Sequence, residues 1–190
     1  MRKQGQSYKL KIAQGIAQAD YVDWKYKYLK RLCQTTQPPK EEIYKSGKKG
    51  KFFCTTSGKY LKDTYDLFYI QDANGKMVKT ITQKLIDSLP MHPLVLATFY
   101  MDDGSVRKDC YSGKLATQGF KTKHESELIC QYLAKWNVKG TVAAHDLKKD
   151  QYYVNLSTET FGVFIDIVKP YIDEVPVLIY KLNEDRNKTP

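Results

Sequence analysis

The chain has 190 residues and a net charge of +10. Hydrophobic residues make up 42% of it and 15 residues are tyrosine, which excludes a disordered chain and is enough for one domain or two small ones. No apolar run approaches the roughly 18 residues that a membrane span needs. A basic, aromatic-rich chain favours a polyanion such as nucleic acid as partner, although charge alone fits a merely soluble basic protein equally well.

The first half of the chain predicts two strands, a helix, a two-stranded hairpin and a second helix. Basic residues at the N-terminus are typical of a transit peptide, but their alternation with apolar residues over 8–12 favours a strand. Pro38-Pro39 ends the first helix, and the hairpin turns at residues 47–50. Apolar stripes at helical spacing define the two helices: Tyr21, Trp24, Tyr28 and Leu32 in the first, and Leu61, Tyr65 and Phe68 in the second.

An apolar helix with an acidic end is predicted over residues 93–104. Pro93 suits a first helical turn and Gly104 a C-terminal stop. The residues from Leu94 onward are apolar on nearly every face, which predicts a buried helix. Asp102 and Asp103 then stand where the helix dipole disfavours negative charge, by about 0.3–1 kcal/mol each. Ligation of Mg²⁺ by the carboxylate oxygens would explain why both acids stand there. The alternative is that they lie at an exposed, solvated helix end and bind nothing.

The second half predicts the same order of elements. A strand covers 114–119, and Thr122 with Glu125 forms a capping-box pattern at the start of a helix. A hairpin joins 141–145 to 151–156 around a charged turn. Ser157 is the predicted N-cap of the closing helix. Its buried stripe should comprise Phe161, Phe164, Ile165 and Val168.

The two halves resemble each other in sequence as well as in predicted order. Residues 10–29 match 114–133 without a gap, at an offset of 104, and include Gln-Gly and Tyr-Leu pairs in both copies. Residues 51–68 match 151–168 at an offset of 100. This pattern predicts two pseudo-repeated halves, residues 1–90 and 91–190.

Cysteine and histidine spacing indicates neither a disulfide framework nor structural zinc. The four cysteines contain no C-x-x-C pair, and the three histidines lack metal-ligand spacing. We therefore expect free thiols in a reducing compartment. The cysteines are Cys33, Cys54, Cys110 and Cys130, and the histidines are His92, His124 and His145.

The acidic helix resembles the LAGLIDADG motif of homing endonucleases. Leu96-Ala97 matches the opening of the motif, and Met101-Asp102-Asp103-Gly104 matches its close. The surroundings also resemble this family, in the branch that includes the yeast mitochondrial omega-intron endonuclease. The supporting segments are VKTI at 78–81, TQGF at 117–120, KPYI at 169–172 and VPVLIYKLN at 175–183.

This resemblance implies an α+β LAGLIDADG homing-endonuclease fold. Its two αββαββα halves carry four-stranded antiparallel sheets that lie in the DNA major groove and read base edges. Two motif helices side by side place their terminal acids beneath the DNA. Divalent Mg²⁺ or Mn²⁺ ions between those acids and the scissile phosphates support cleavage of both strands. Hosts of such genes include organelles, bacteria and phages, so the resemblance leaves the compartment open.

The resemblance also assigns roles to individual residues. Asp103 matches the metal-binding acid, and the backbone carbonyl of Asp102 is a further expected ligand. Lys181 and Lys79 match lysines beside the active site. Gln118 and its first-half counterpart Gln14 match polar positions near the catalytic water. Expected DNA contacts, mostly to phosphates, are Lys9, Lys11, Lys48, Lys51, Arg107, Lys108 and Lys114.

The repeat places the first motif outside these 190 residues. Subtracting the offset of 104 from position 103 gives a position before Met1. The first motif helix is therefore expected from an upstream segment, from a second chain, or not at all if the protein binds without cutting. A homodimer through the single motif is a less favoured arrangement.

Two other functions compete with cleavage of double-stranded DNA. Some members of the family are maturases that help intron RNA to fold, through basic surfaces and without cutting. Tyr100-Met101-Asp102-Asp103 is also the tetrapeptide of reverse-transcriptase active sites. There it lies in a hairpin between strands, whereas Pro93 and the apolar run here predict a helix before it.

Overall fold

The computed structural model describes residues 1–33, 38–107, 110–120 and 122–182. It is an α+β protein of helices and antiparallel sheets. The chain forms two compact units, one of residues 1–66 with 174–178 and the other of residues 67–173 with 179–190. The segment 67–90 therefore folds with the second unit, although the repeat assigned it to the first half.

The first unit is built on one helix and a three-stranded sheet. The strand order is β3-β5-β4, all antiparallel, and β1 and β2 form a separate hairpin. The elements in chain order are β1 (Arg2–Gln4), β2 (Ser7–Lys9), β3 (Lys11–Gly15), α1 (Ala19–Leu29), β4 (Lys40–Ile43), β5 (Lys49–Cys54) and α2 (Lys62–Phe68).

A four-stranded sheet was predicted for this half, and an interruption at Leu10 explains the difference. Thr55, just beyond β5, donates its backbone N–H to the Leu10 carbonyl over 2.9 Å. The hydroxyl of Thr55 accepts from the Leu10 N–H over 3.0 Å. The Thr55 hydroxyl thus takes the place of a backbone carbonyl in the hydrogen-bond ladder. This interruption separates β2 from β3, and β1 and β2 form their own hairpin instead of extending the sheet.

One face of the first sheet packs against α1 and the other faces outward. Phe53 on β5 is buried with Val22 of α1 and with Cys33. Because side chains alternate along a strand, Lys51 shares this inner face. Its Nζ accordingly lies 2.5 Å from a carboxylate oxygen of Asp23 on α1.

The second unit contains the acidic helix and a complete four-stranded sheet. The strand order is β10-β11-β9-β8, again antiparallel. The elements are β6 (Tyr69–Gln71), β7 (Met77–Lys79), α3 (Gln83–Ser88), α4 (Pro93–Asp103), β8 (Gly104–Val106), β9 (Gly113–Ala116), α5 (Lys123–Ala134), β10 (Gly140–Asp146), β11 (Gln151–Leu156) and α6 (Thr158–Ile172).

The inner face of this sheet forms the core with the helices. Leu115, Val154 and Leu156 are fully buried. All four residues predicted for the stripe of α6 are buried, which confirms that prediction. The Thr122–Glu125 capping box is present at the start of α5, as predicted. Ser157 is the N-cap residue of α6, but its side chain makes no capping hydrogen bond.

Helix α4 confirms the predicted bounds and shows what its apolar residues do. Leu96, Ala97, Tyr100 and Met101 are buried, and the Tyr100 ring packs against Phe161 and Phe164 of α6. Gly104 follows the helix, where a Cβ would come within 2.0 Å of the Tyr100 ring. A residue without a side chain is therefore required where the helix turns into β8.

None of the four cysteines, all within the described residues, forms a disulfide, which agrees with the sequence prediction. Burial raises the pKa of the Cys130 thiol to about 11, so it stays protonated at neutral pH. Among the described residues, none of the helices combines the length and apolarity required to span a lipid bilayer.

Candidate active site and nucleic-acid-binding surfaces

Two exposed acids stand at the end of an otherwise apolar helix. Asp102 and Asp103 are the last residues of α4 and both are exposed, whereas the preceding Tyr100 and Met101 are buried. The Gly104 N–H donates to the Tyr100 carbonyl and closes the helix at this point. The fold thus presents carboxylates to solvent at a fixed helix end, where they can bind cations or a metal–phosphate group.

A buried lysine holds this helix end in place. The Lys181 Nζ donates to the carbonyls of Tyr100, Met101 and Gly104, over 3.1, 2.7 and 2.8 Å. In return the Tyr100 hydroxyl donates to the Lys181 carbonyl over 2.7 Å. The side chain of Lys181 is almost fully buried, at 5% exposure. Its positive charge therefore offsets the negative end of the helix dipole, directly behind the two acids.

A second lysine, Lys79, lines an apolar groove along the same helix. Lys79 at the end of β7 lines this groove together with Asp102, Asp103 and Phe120. Its Nζ lies 5.7 Å from the centre of the Phe120 ring. The groove has a volume of about 420 Å³. The structure therefore brings three of the predicted site residues together on one side of α4.

Glu125 anchors the segment that carries Lys79, a link that the sequence analysis missed. One carboxylate oxygen accepts from the Thr80 hydroxyl over 2.7 Å and from the Ile81 N–H over 3.0 Å. The other accepts from the Thr122 N–H over 3.1 Å. Glu125 is only 5% exposed. The capping residue of α5 thus also fixes the chain immediately after Lys79.

Replacing Glu125 with alanine should lower the free energy of unfolding by about 3 kcal/mol, because three part-buried donors lose a charged acceptor. Urea denaturation measures this change. Glu127→Ala is the matched control, since that side chain lies on the same helix at 45% exposure and its surface ion pair should contribute under about 1 kcal/mol. Equal effects of the two substitutions would contradict the anchoring role.

The two predicted glutamines occupy different environments. Gln118 is half-buried and follows β9 in the second unit, next to the buried Thr117. The Thr117 hydroxyl donates to the Tyr152 carbonyl over 2.7 Å, which fixes this end of the strand. Gln14 lies on β3 of the first unit, opposite Lys51 in the register. Its side chain therefore belongs to the α1 side of that sheet.

Several of the expected DNA contacts lie on outward-facing surfaces. Lys11 lies on the outer face of the first sheet, because its neighbour Ile12 packs on the α1 side, and Lys9 is half-buried at the end of β2. Lys48 is exposed in the turn before β5. Lys114 lies on the outer face of the second sheet, opposite Asn155. Lys51 is the exception, because it pairs with Asp23 on the inner face.

The loop after β8 contains the remaining two expected contacts. Arg107 is half-buried, and its N–H donates to the Ser112 carbonyl over 2.9 Å. Lys108 lies outside the described residues. Arg107 therefore stands at the base of the loop that joins β8 to β9.

The two acids at the end of α4 are candidate metal ligands. Within the ranges that the structure describes, no three His, Cys, Asp or Glu side chains cluster as ready-made metal ligands. Mg²⁺ is usually held by one or two carboxylates, with phosphate and water oxygens completing the coordination. Two exposed carboxylates beside a helix-end carbonyl fit that pattern.

Two curated proteins are similar to this chain over most of its length. The DNA endonuclease I-ChuI of Chlamydomonas applanata is 28% identical over 178 residues, which cover 88% of this chain and 79% of that protein. The cytochrome b mRNA maturase bI2 of Debaryomyces hansenii is 29% identical over 186 residues, which cover 95% of this chain and 66% of that protein. This chain therefore spans just under two thirds of the maturase.

Solved structures share the fold. The homing endonuclease I-WcaI bound to its DNA recognition sequence has a TM-score of 0.70 at 23% identity, over 92% of this chain and 74% of that chain. A variant of I-DmoI in complex with its nicked target DNA, in the presence of 2 mM Mn, has a TM-score of 0.55 at 14% identity. That match covers 86% of this chain and 81% of the other.

A family model settles the relationship. The model described as the LAGLIDADG DNA endonuclease family matches residues 1–164. That range contains the acidic helix, both sheets and the Lys79 segment. The chain belongs to the LAGLIDADG DNA endonuclease family.

Proposed function

We propose that the chain is a site-specific DNA endonuclease that cuts both strands of its target and serves the homing of an intron or another mobile element. The observation that carries this proposal is the pair of exposed acids at the end of the apolar helix α4, with a buried lysine fixed behind it. The endonuclease among the similar proteins and the DNA-bound structure that shares the fold support the same activity.

Mg²⁺ or Mn²⁺ is the proposed cofactor. The Asp103 carboxylate and the Asp102 carbonyl are its proposed ligands from this chain. When bound there, a divalent metal polarises the scissile phosphate and lowers the pKa of the attacking water. The similar I-DmoI structure obtained in the presence of Mn supports this choice.

The two lysines have different proposed tasks. Lys79 stands exposed beside the acids and offsets the negative charge of a bound phosphate. Lys181 positions Asp103 by holding the end of α4, because its ammonium group is directed at three carbonyls of that helix end. Gln118, near the end of β9, and Gln14, in the other unit, remain proposed to orient water, on the strength of the family resemblance.

DNA is proposed to bind along the outer faces of the sheets. Lys114 on the second sheet and Lys48, exposed in the turn before β5 of the first, supply sequence-independent affinity for phosphates. Polar residues beside Lys114, including Ser105, Asn155 and Thr141 in one row across the sheet, are placed to meet base edges. A two-stranded or larger ribbon of this kind fits the major groove.

The groove along α4 is proposed to take a second motif helix. Val95, Thr98, Phe99 and Asp102 line it at helical spacing, and Leu85 and Tyr132 are among its walls. An apolar strip that leads to the two acids fits a helix of the same design, which would add a second acid. The repeat predicts such a helix, supplied by an upstream segment of a longer chain or by another chain.

A role as an intron RNA maturase is the second proposed function, because the similar protein of Debaryomyces hansenii is a maturase. Both roles are compatible in one protein. Cleavage of a randomised DNA-site library, beside binding to intron RNA, separates them. Cutting that requires Asp103, by a form that carries a second acidic helix, supports the endonuclease. RNA binding by that form without any cutting supports the maturase alone.

A further inference from the structure

The outer faces of the two sheets carry the same three-residue arrangement. In the first unit Ala13 lies opposite Phe52, and the Lys11 Nζ stands 4.2 Å from the centre of that ring. In the second unit Ala116 lies opposite Tyr153, and the Lys114 Nζ stands 4.7 Å from its ring. Each lysine lies two residues before the alanine, so its stem crosses the neighbouring strand to reach the ring.

This geometry identifies Lys11 and Lys114 as structural counterparts. Lys114 lies 103 positions after Lys11, and Tyr153 lies 101 positions after Phe52. These structural offsets of 103 and 101 each differ by one residue from the offsets of 104 and 100 in the sequence repeat. An aromatic ring beneath an ammonium group attracts it and limits its side-chain freedom. Each sheet therefore carries an oriented ammonium group at an equivalent point, Lys11 in the first sheet and Lys114 in the second.

Two charged neighbours distinguish the first site: the acid Glu42, and Lys40, whose Nζ lies 5.7 Å from the centre of the Phe52 ring. Glu42 on β4 shares the outer face with Phe52, and both of its oxygens accept from the Lys11 Nζ over 2.7 Å. The two side chains are largely shielded, at 32% and 21% exposure. Across the part of the chain that the structure describes, no carboxylate forms an ion pair with Lys114. The Lys11 ammonium group is therefore paired within the protein, whereas the described residues offer Lys114 no such carboxylate.

We propose that Lys114 is an open phosphate-binding site and that Glu42 withholds its counterpart Lys11 from DNA. A lysine that neutralises a phosphate releases condensed counterions, which makes affinity depend on salt. Lys11 contributes little to the salt dependence of DNA affinity, because a phosphate must first displace the Glu42 carboxylate from its ammonium group. Glu42 therefore limits the sequence-independent part of DNA binding on the first sheet. This inference rests on the proposed binding of DNA to the outer faces.

The test measures the affinity of the full chain for a random-sequence DNA duplex by fluorescence anisotropy, between 50 and 200 mM salt. Removal of one phosphate contact should reduce the slope of log affinity against log salt by about 0.9, a threefold to fourfold change over this range. Lys114→Met should show this loss, since methionine keeps an apolar stem over the ring. Lys114→Arg should restore the slope.

Glu42→Gln gives the opposite and most specific result. It should steepen the slope by about 0.9 and raise affinity at low salt, and a second substitution, Lys11→Met, should remove the gain. In the wild-type background Lys11→Met should change the slope by less than half as much as Lys114→Met.

Three outcomes contradict the account in different ways. Equal losses from the two lysine substitutions, or no gain from Glu42→Gln, would overturn the difference between the sites. An unchanged slope for Lys114→Met would show that Lys114 does not neutralise a phosphate. Failure of the wild-type chain to bind any duplex would instead overturn the proposed DNA-binding function.

Discussion

Asp103→Asn should reduce DNA cleavage by at least about 10²-fold while DNA affinity in the absence of metal stays within about twofold, since one exposed charge contributes little to binding. The amide keeps the shape of the side chain but removes the charge that attracts a divalent cation. Cleavage by this and the following variants is measured with Mg²⁺ in a form of the chain extended upstream by an apolar helix that ends in an acid, since the shorter form should cut little or not at all. DNA binding is measured in EDTA, which separates the two effects.

Asp102→Asn is the matched control for this prediction. It removes an equally exposed carboxylate from the adjacent position of α4, but it leaves the backbone carbonyl of residue 102 in place. We expect a loss of cleavage at least tenfold smaller than that of Asp103→Asn. A larger loss from Asp102→Asn would show that the other carboxylate is the metal ligand and that the assignment from the family motif is reversed.

Lys181→Met should destabilise the second unit and slow cleavage together. The substitution leaves three carbonyls at the end of α4 without their donor. Loss of a buried charged donor of this kind costs about 3 kcal/mol. Because Asp103 lies at the same helix end, its displacement should lower the cleavage rate at least tenfold. Urea denaturation and single-turnover cleavage of the same variant measure both effects.

The control for Lys181 is an exposed lysine with a local partner. Lys169 pairs with Asp173 one turn later on α6, at 42% exposure, so Lys169→Met should change stability by under about 0.5 kcal/mol. The positioning role of Lys181 would be contradicted if Lys181→Met lost cleavage at unchanged stability. That outcome would instead favour direct contact of the ammonium group with the reacting phosphate.

Local features of the fold were predictable from the sequence. Pro93 and Gly104 defined α4, and Thr122 with Glu125 defined the start of α5, because capping depends on neighbours within one helical turn. The stripe of α6 was equally clear, since burial on a helix repeats every three or four residues.

Contacts between distant residues were not predictable in the same way. Lys181 was matched to an active-site lysine, but only the structure shows its bonds to carbonyls some 80 residues earlier. The second role of Glu125 joins residues about 45 positions apart. For Lys51 the sequence did not predict which face of the sheet the side chain occupies. A one-residue change of register moves a side chain to the other face, and the sequence repeat does not define the register to one residue.

The most direct test of the account is cleavage of a randomised DNA-site library with Mg²⁺ by two forms of the protein. One form is this chain, and the other is extended upstream by an apolar helix of the length of α4, 11 residues, that ends in an acid. We predict cleavage by the extended form, little or none by the shorter one, and complete loss when Asp103 is replaced by asparagine. Binding of DNA or intron RNA by the extended form without any cleavage would contradict the endonuclease proposal and leave a nucleic-acid-binding role.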